Sequence, residues 1–164
     1  MQLKTDRLYI RNLCENDWPE MKKIWLDFNH SEYAVYDMPL PTEDAEVRAL
    51  TKRFADSNLF FAVFLSDKMI GYMGFHKVED KFDLGYCFHS AYHHNGYAYE
   101  SAKALIEYFI KEYNATGFTA GTSMDNQPSC ELLKKLGFLC TSIETISFDG
   151  EFSFQGGNFT LDIK

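Results

Sequence analysis

The chain has 164 residues, one domain's length, and a chain of this size buries roughly 68–70% of its unfolded surface, so it needs no disulfide or metal staple. Hydrophobic residues at 46% and aromatics at 16% exclude a disordered chain. Sixteen Lys+Arg against 24 Asp+Glu give a net charge of −8, which argues against nucleic acid as a default partner and leaves a cationic substrate open.

In chain order, alternation at Leu8, Tyr9, Ile10 and Arg11 predicts a first strand near residues 7–12. Trp18, Met21, Trp25 and Phe28 recur at helical spacing. Asn16 or Asp17 is placed to cap that helix, and Pro19 suits its first turn. Residues 29–41 read as a loop. Thr42 is expected to cap a second helix, with acidic Glu43 and Asp44 in its first turn and Val47, Leu50 and Phe54 inward. A β-meander follows: 59–65, 69–78 and 82–88, with turns at 66–68 and 79–80. A strong helix begins at Gly96, with Ala98, Ala102, Leu105, Ile106 and Phe109 on its apolar face. Residues 118–122 form a short strand. Pro128 opens a short helix with Leu132, Leu133 and Leu136 inward and Gly137 as its C-cap. The tail reads as two strands around an Asp149-Gly150 turn.

The polar first residues and the lack of any long apolar run point away from a membrane or a secretory signal. Cys14, Cys87, Cys130 and Cys140 show no metal-ligand spacing and are read as reduced thiols of a cytoplasmic protein. The adjacent His93 and His94 lack a third ligand, so no metal is expected. Cys87 has no neighbour in sequence to activate it and reads as a buried thiol. The element order β-α-α-β-β-β-α-β-α-β-β predicts an α/β (α+β) fold with a mixed sheet, in one domain over 1–164.

Two stretches bear chemistry. The first, Tyr92-His93-His94-Asn95-Gly96-Tyr97-Ala98-Tyr99-Glu100, is a strand-to-helix junction. A helix start offers unpaired N–H groups and the positive end of the macrodipole, and Gly96 and Ala98 leave room for a phosphate. A plain turn explains the same residues. The second stretch is Asn126-Gln127-Pro128-Ser129 running to Leu136-Gly137-Phe138, where Asn126 is also a simple N-cap.

In order and separation these pieces resemble the GNAT-superfamily N-acetyltransferases. The likeness is to the RimJ/RimL branch, which acetylates ribosomal-protein N-termini and related amines. Thr5-Asp6-Arg7-Leu8 with Ile10-Arg11 resembles its opening strand, Leu84-Gly85-Tyr86 its fourth strand, Gly96-Tyr97-Ala98 its phosphate loop, and Asn126-x-x-Ser129 its second cofactor motif. The resemblance implies acetyl-coenzyme A as donor, with no metal. The pyrophosphate would be held by the N–H groups of His94, Asn95, Gly96, Tyr97, Ala98 and Tyr99. The pantetheine arm would run along Cys87 and Phe88, with contacts at Asn126 and Ser129.

For catalysis the resemblance implies direct attack of an amine on the thioester. Many members use a tyrosine acid where this chain has Leu133. Ser129 is expected to serve the departing thiolate instead, with Asn126 orienting the pantetheine or a water. The base is Asp83 or His89, acting through water. The phosphate loop departs from the family pattern, since no Lys or Arg occurs between Phe82 and Ala102. That leaves an acetyl-coenzyme A-binding module without turnover as the alternative, and a structural domain without cofactor as a third reading. The expected partners are acetyl-CoA and an amine acceptor, with neither nucleic acid nor membrane, and a homodimer is allowed. Six acidic residues and no Lys or Arg lie between Ile24 and Val47: Asp27, Glu32, Asp37, Glu43, Asp44 and Glu46. The resemblance places this segment on the acceptor side, where its field would favour a cationic amine.

Overall fold

The structure is a computed structural model and describes residues 1–148 and 152–163; the expected Asp149-Gly150 turn lies outside the described residues. The elements are β1 Gln2–Lys4, β2 Leu8–Asn12, α1 Trp18–Asn29, α2 Asp44–Asp56, β3 Phe60–Leu65, β4 Lys68–Val78, β5 Lys81–Phe88, α3 Tyr97–Tyr113, β6 Gly117–Ser123, α4 Gln127–Lys135, β7 Leu139–Phe148 and β8 Phe152–Asp162. The expected fold class and element order hold, with one strand added at the start. β1 is a three-residue strand, too short to show alternation in the sequence.

The chain divides into two compact units, Met1–Phe75 with Tyr86–Ala104, and His76–Gly85 with Leu105–Lys164. In the first unit the strands follow the order β1-β2-β3-β4-β5. β2 lies antiparallel between β1 and β3, pairing Leu3↔Ile10 and Ile10↔Val63. Leu8 and Ile10 are buried while Tyr9 and Arg11 are half-buried, the pattern that the period of two demands. α1 buries Met21, Ile24 and Trp25, and α2 buries Val47 and Thr51. Met21, Ile24, Trp25 and Val47 pack with Leu13, Phe60, Ala62, Met69 and Tyr72 in one core. Phe54 stacks on Phe60 at 3.9 Å, and the Trp25 indole N–H donates to the Tyr72 hydroxyl at 3.0 Å. That bond satisfies two polar groups that burial would otherwise penalise.

Two expected caps differ. Thr42 is not the cap of α2. Glu43 holds that position with extended backbone at ψ 135, and neither its side chain nor Thr42 caps the helix. The first-turn acids Asp44 and Glu46 complement the dipole instead. Asp17 does stand at the N-cap of α1, but its carboxylate is taken by Arg11, with both guanidinium contacts at 2.8 Å, and by the Cys14 N–H at 2.8 Å. Two charge-assisted bonds to a guanidinium outweigh a single bond from a helix N–H. The expected loop 29–41 contains one 3-10 turn, Ala34–Tyr36.

In the second unit the order is β4-β5-β6-β8-β7. β5 runs parallel to β6, pairing Phe82↔Phe118 and Asp83↔Thr119, while β6–β8 and β7–β8 are antiparallel. The sheet is therefore mixed. Phe82, Phe109 and Phe118 are buried, with Phe82 and Phe109 edge-on at 4.8 Å. α4 buries Cys130 and Leu133, whereas Leu132 and Leu136 are half-buried. It ends as expected at Gly137, φ +95. The Phe138 N–H reaches the Leu133 carbonyl and the Gly137 N–H that of Lys134, a Schellman closure.

Candidate active site

The first unit holds the strand-to-helix junction. β5 ends at Phe88, a 3-10 turn spans Ser90–Tyr92, and α3 starts at Tyr97. The junction is fastened at each step. His89 accepts the Ala91 N–H on Nδ1 at 3.2 Å. The Asp27 carboxylate of α1 accepts the Ser90 N–H and hydroxyl. The His93 ring meets the Phe88 carbonyl through Nε2 at 2.8 Å, so Nε2 carries a proton there. The Asn95 amide donates to the His93 carbonyl at 2.8 Å.

His94 and Gly96 both take positive φ, +60 and +78, and the Glu100 N–H closes the first turn of α3 on the Gly96 carbonyl at 3.0 Å. Glycine accepts the value at 96 without steric penalty. The N–H groups of Tyr97, Ala98 and Tyr99 belong to the first turn, which lacks intrahelical acceptors. The expected loop residues 94 to 99 are thus contiguous at a helix start whose dipole favours an anion.

Reading the sequence did not identify Arg7 as part of this junction. Its guanidinium donates to Glu100 at 2.7 Å and to the Asn95 carbonyl at 2.9 Å, and it lies 4.6 Å over the Tyr97 ring. The Arg7 N–H and the Thr5 hydroxyl also go to Glu100. Burial pushes the Glu100 carboxyl up, but Thr5 and Arg7 outweigh it and hold the group below the usual range. Arg7 and Asn95 lie 88 positions apart, so no local pattern links them.

β5 is the last strand of this unit. The His89 N–H pairs with the Ile70 carbonyl of β4 at 3.0 Å. By strand alternation the Phe88 N–H and C=O point away from β4. The C=O is the acceptor for His93. Phe88 is buried over Gly71, where a Cβ would meet its ring and lie 2.8 Å from the Cys87 carbonyl. Burial, then the charges of Asp27 and Asp37, push the Cys87 thiol up to about 12, so it is a protonated thiol rather than a nucleophile. His89 borders a cavity of about 390 Å³ with Ile24, Phe64, Met69 and Tyr92.

The second unit holds Asp83, Asn126 and Ser129. Asp83 lies on β5, half-buried, and accepts the Thr119 hydroxyl at 2.8 Å. Asn126 is the N-cap of α4, its side chain accepting the Ser129 N–H at 3.2 Å. Leu133 is buried one turn further along. Among the described residues no three His, Cys, Asp or Glu are grouped to hold a metal, and no helix is long and apolar enough to cross a membrane.

The profile of the acetyltransferase (GNAT) domain family matches residues 7–139. The chain is 33% identical over 141 residues to a protein of Bacillus subtilis (strain 168) called uncharacterized N-acetyltransferase YnaD, covering 84% of this chain and 82% of the relative. An acetyltransferase (GNAT family) from Bacillus anthracis superposes with TM-score 0.85 at 23% identity, covering 99% of this chain and 98% of that one. RimL, a ribosomal-protein α-N-acetyltransferase in complex with coenzyme A, superposes with TM-score 0.86 at 16% identity over 99% and 98% of the two chains.

Proposed function

This chain belongs to the acetyltransferase (GNAT) family, and on that premise we propose that it moves the acetyl group of acetyl-coenzyme A to a primary amine by direct attack in a ternary complex. The observation supporting this most directly is the loop of residues 94 to 99. It presents a helix start with Gly96 at φ +78, where the residue has no side chain of its own to block an incoming anion. Such a loop fits a pyrophosphate.

Bound acetyl-CoA supplies an activated thioester carbonyl. The remaining tasks fall to this chain. The Phe88 N–H, aimed off the β5 edge, would polarise the acetyl oxygen, with the end of β5 at Cys87 and Phe88 bordering the pantetheine. Ser129 gives a proton or hydrogen bond to the departing thiolate, and Asn126 sets the helix start from which Ser129 projects. Asp83 is our base, acting through a water. His89 is the weaker candidate, because its Nδ1 lone pair already accepts the Ala91 N–H. Residues 1–164 act as one acetyltransferase domain.

The acceptor we assign is a peptide N-terminus or a small amine, with preference for a cationic one. Glu32 and Asp37 are the acids that bear on this. Asp27 is engaged by Ser90, and Asp44 by Lys22 at 2.6 Å. The four cysteines are free thiols, which suits a reducing, cytoplasmic location. A homodimer belongs to the same reading and is checked by light scattering.

The test is an amine-library screen with acetyl-CoA, read by mass spectrometry and thiol release. Acetylated product from at least one amine supports the proposal. Tight coenzyme A binding with no thiol release from any amine would replace it with a non-catalytic binding module.

A further inference from the structure

The loop of residues 94 to 99 contains a peptide, Asn95–Gly96, whose orientation decides whether an N–H or a C=O faces a bound anion. Its bonds are trans, since the described chain has no cis peptide. In a trans peptide the C=O and the N–H point in opposite directions. The Asn95 carbonyl accepts from Arg7 Nη1 at 2.9 Å, so the Gly96 N–H points away from Arg7. Gly96 tolerates φ of either sign. Rotation of this peptide therefore meets little steric resistance on the glycine side, and a half-turn would put a carbonyl oxygen where the N–H now stands.

We propose that Arg7 is a positioning residue that locks the Asn95–Gly96 peptide with its N–H presented to the cofactor's pyrophosphate. The inference rests on the reading of this loop as the pyrophosphate site. Arg7 is itself fixed from several sides. Its Nε bonds Glu100 at 2.7 Å, its backbone N–H bonds the other carboxylate oxygen at 3.0 Å, and its guanidinium carbon sits 4.6 Å over the Tyr97 ring. Thr5 holds the same carboxylate. Glu100 is in the first turn of α3, so Arg7 measures the peptide against the very helix whose start binds the anion. The loop has no Lys or Arg of its own between residues 82 and 102, and this tie from the opening segment stands in their place.

Two variants of the full chain test this. Arg7→Met keeps an unbranched aliphatic stem and removes every side-chain donor. Arg7→Lys keeps the charge and can pair with Glu100, but its ammonium nitrogen stands one bond short of the Nη1 that reaches the Asn95 carbonyl. Calorimetry gives the dissociation constant of coenzyme A, and ligand-observed NMR gives that of pantetheine, which lacks the phosphates. Both variants are expected to weaken coenzyme A by about tenfold and leave pantetheine unchanged. Arg7→Lys should keep a melting temperature close to the parent's, so it decides the matter if Arg7→Met does not fold. Coenzyme A affinity unchanged in Arg7→Lys overturns the lock, as does an equal loss for both ligands. Failure of the unaltered protein to bind coenzyme A removes the pyrophosphate reading itself and the lock with it.

Discussion

The Asp27 carboxylate accepts both the backbone N–H and the hydroxyl of Ser90, each at 2.7 Å. This ties α1 to the turn that leads from β5 into the phosphate loop. His89 Nδ1 lies 3.6 Å from the same carboxylate. Burial pushes the Asp27 carboxyl up, but Ser90 and the neighbouring histidines hold it below its usual range. Asp27→Ala is expected to cost about 1–3 kcal/mol, because it strips a charged acceptor from two donors. Asp27→Asn, with one acceptor oxygen left, should cost less. Urea denaturation of the two variants checks the order. Equal stability of Asp27→Ala and the parent would remove Asp27 from the scaffold.

Asn126 and Ser129 separate a structural role from a chemical one. The Asn126 side chain caps α4 through the Ser129 N–H. Asn126→Ala should lose about 1 kcal/mol, and Asn126→Asp, another good cap, should lose little. The cap uses only the backbone of Ser129. Ser129→Ala keeps that N–H, and its turnover should fall about 100-fold or more, if its hydroxyl serves the thiolate. An unchanged kcat in Ser129→Ala would take it out of the mechanism.

The Arg11–Asp17 pair sets an acid limit on stability. Burial pushes the Asp17 carboxyl up, but Arg11 and the Cys14 N–H outweigh it, so its folded pKa is lowered. A group with a lowered folded pKa binds more protons when unfolded. Its contribution is complete above the unfolded value and is lost as pH falls through the folded one. Asp17→Asn should thus be clearly less stable than the parent near neutral pH, by about 1–3 kcal/mol. That gap should narrow as pH drops below about 4. Melting curves of both proteins across pH test it, and a gap that stays constant into acid would refute the assignment.

Gly96 tests the loop from the other direction. A side chain there is strained at φ +78, and its Cβ would lie 3.5 Å from the Arg7 guanidinium. Gly96→Glu adds like charge at the proposed anion site. It should weaken coenzyme A by well over about tenfold, with a smaller loss for Gly96→Ala. Normal affinity in Gly96→Glu would sink the phosphate-loop assignment.

The helices and the central strands were legible because apolar spacing is a local signal. Trp18, Met21 and Trp25 mark α1, and the short apolar run of 60–65 marks β3. Gly137 ended α4 where a left-handed residue was needed. Two features escaped for physical reasons. Thr42 looked like a cap, yet α2 begins two residues later, where the acids Asp44 and Glu46 face the dipole. Arg7 looked like part of an opening strand, but its partners Asn95 and Glu100 are distant in sequence. The candidate residues Asp83, Cys87, Phe88, Asn126 and Ser129 were visible only through family likeness, since a lone serine or aspartate has no spacing that marks it.

The chain has two tryptophans, and they are optically unequal. Trp25 is fully buried, its indole N–H bonded to Tyr72 and its ring edge-on to Phe54, whereas Trp18 lies under the Arg48 guanidinium at 4.0 Å. Trp25 should emit at shorter wavelength than an indole in water, and it precedes Asp27, which grips the Ser90 turn, by two residues. The fold therefore contains a built-in fluorescent reporter close to that tether. With Trp18→Phe as background, the emission of the remaining indole would follow Asp27 and the turn it holds without any attached dye.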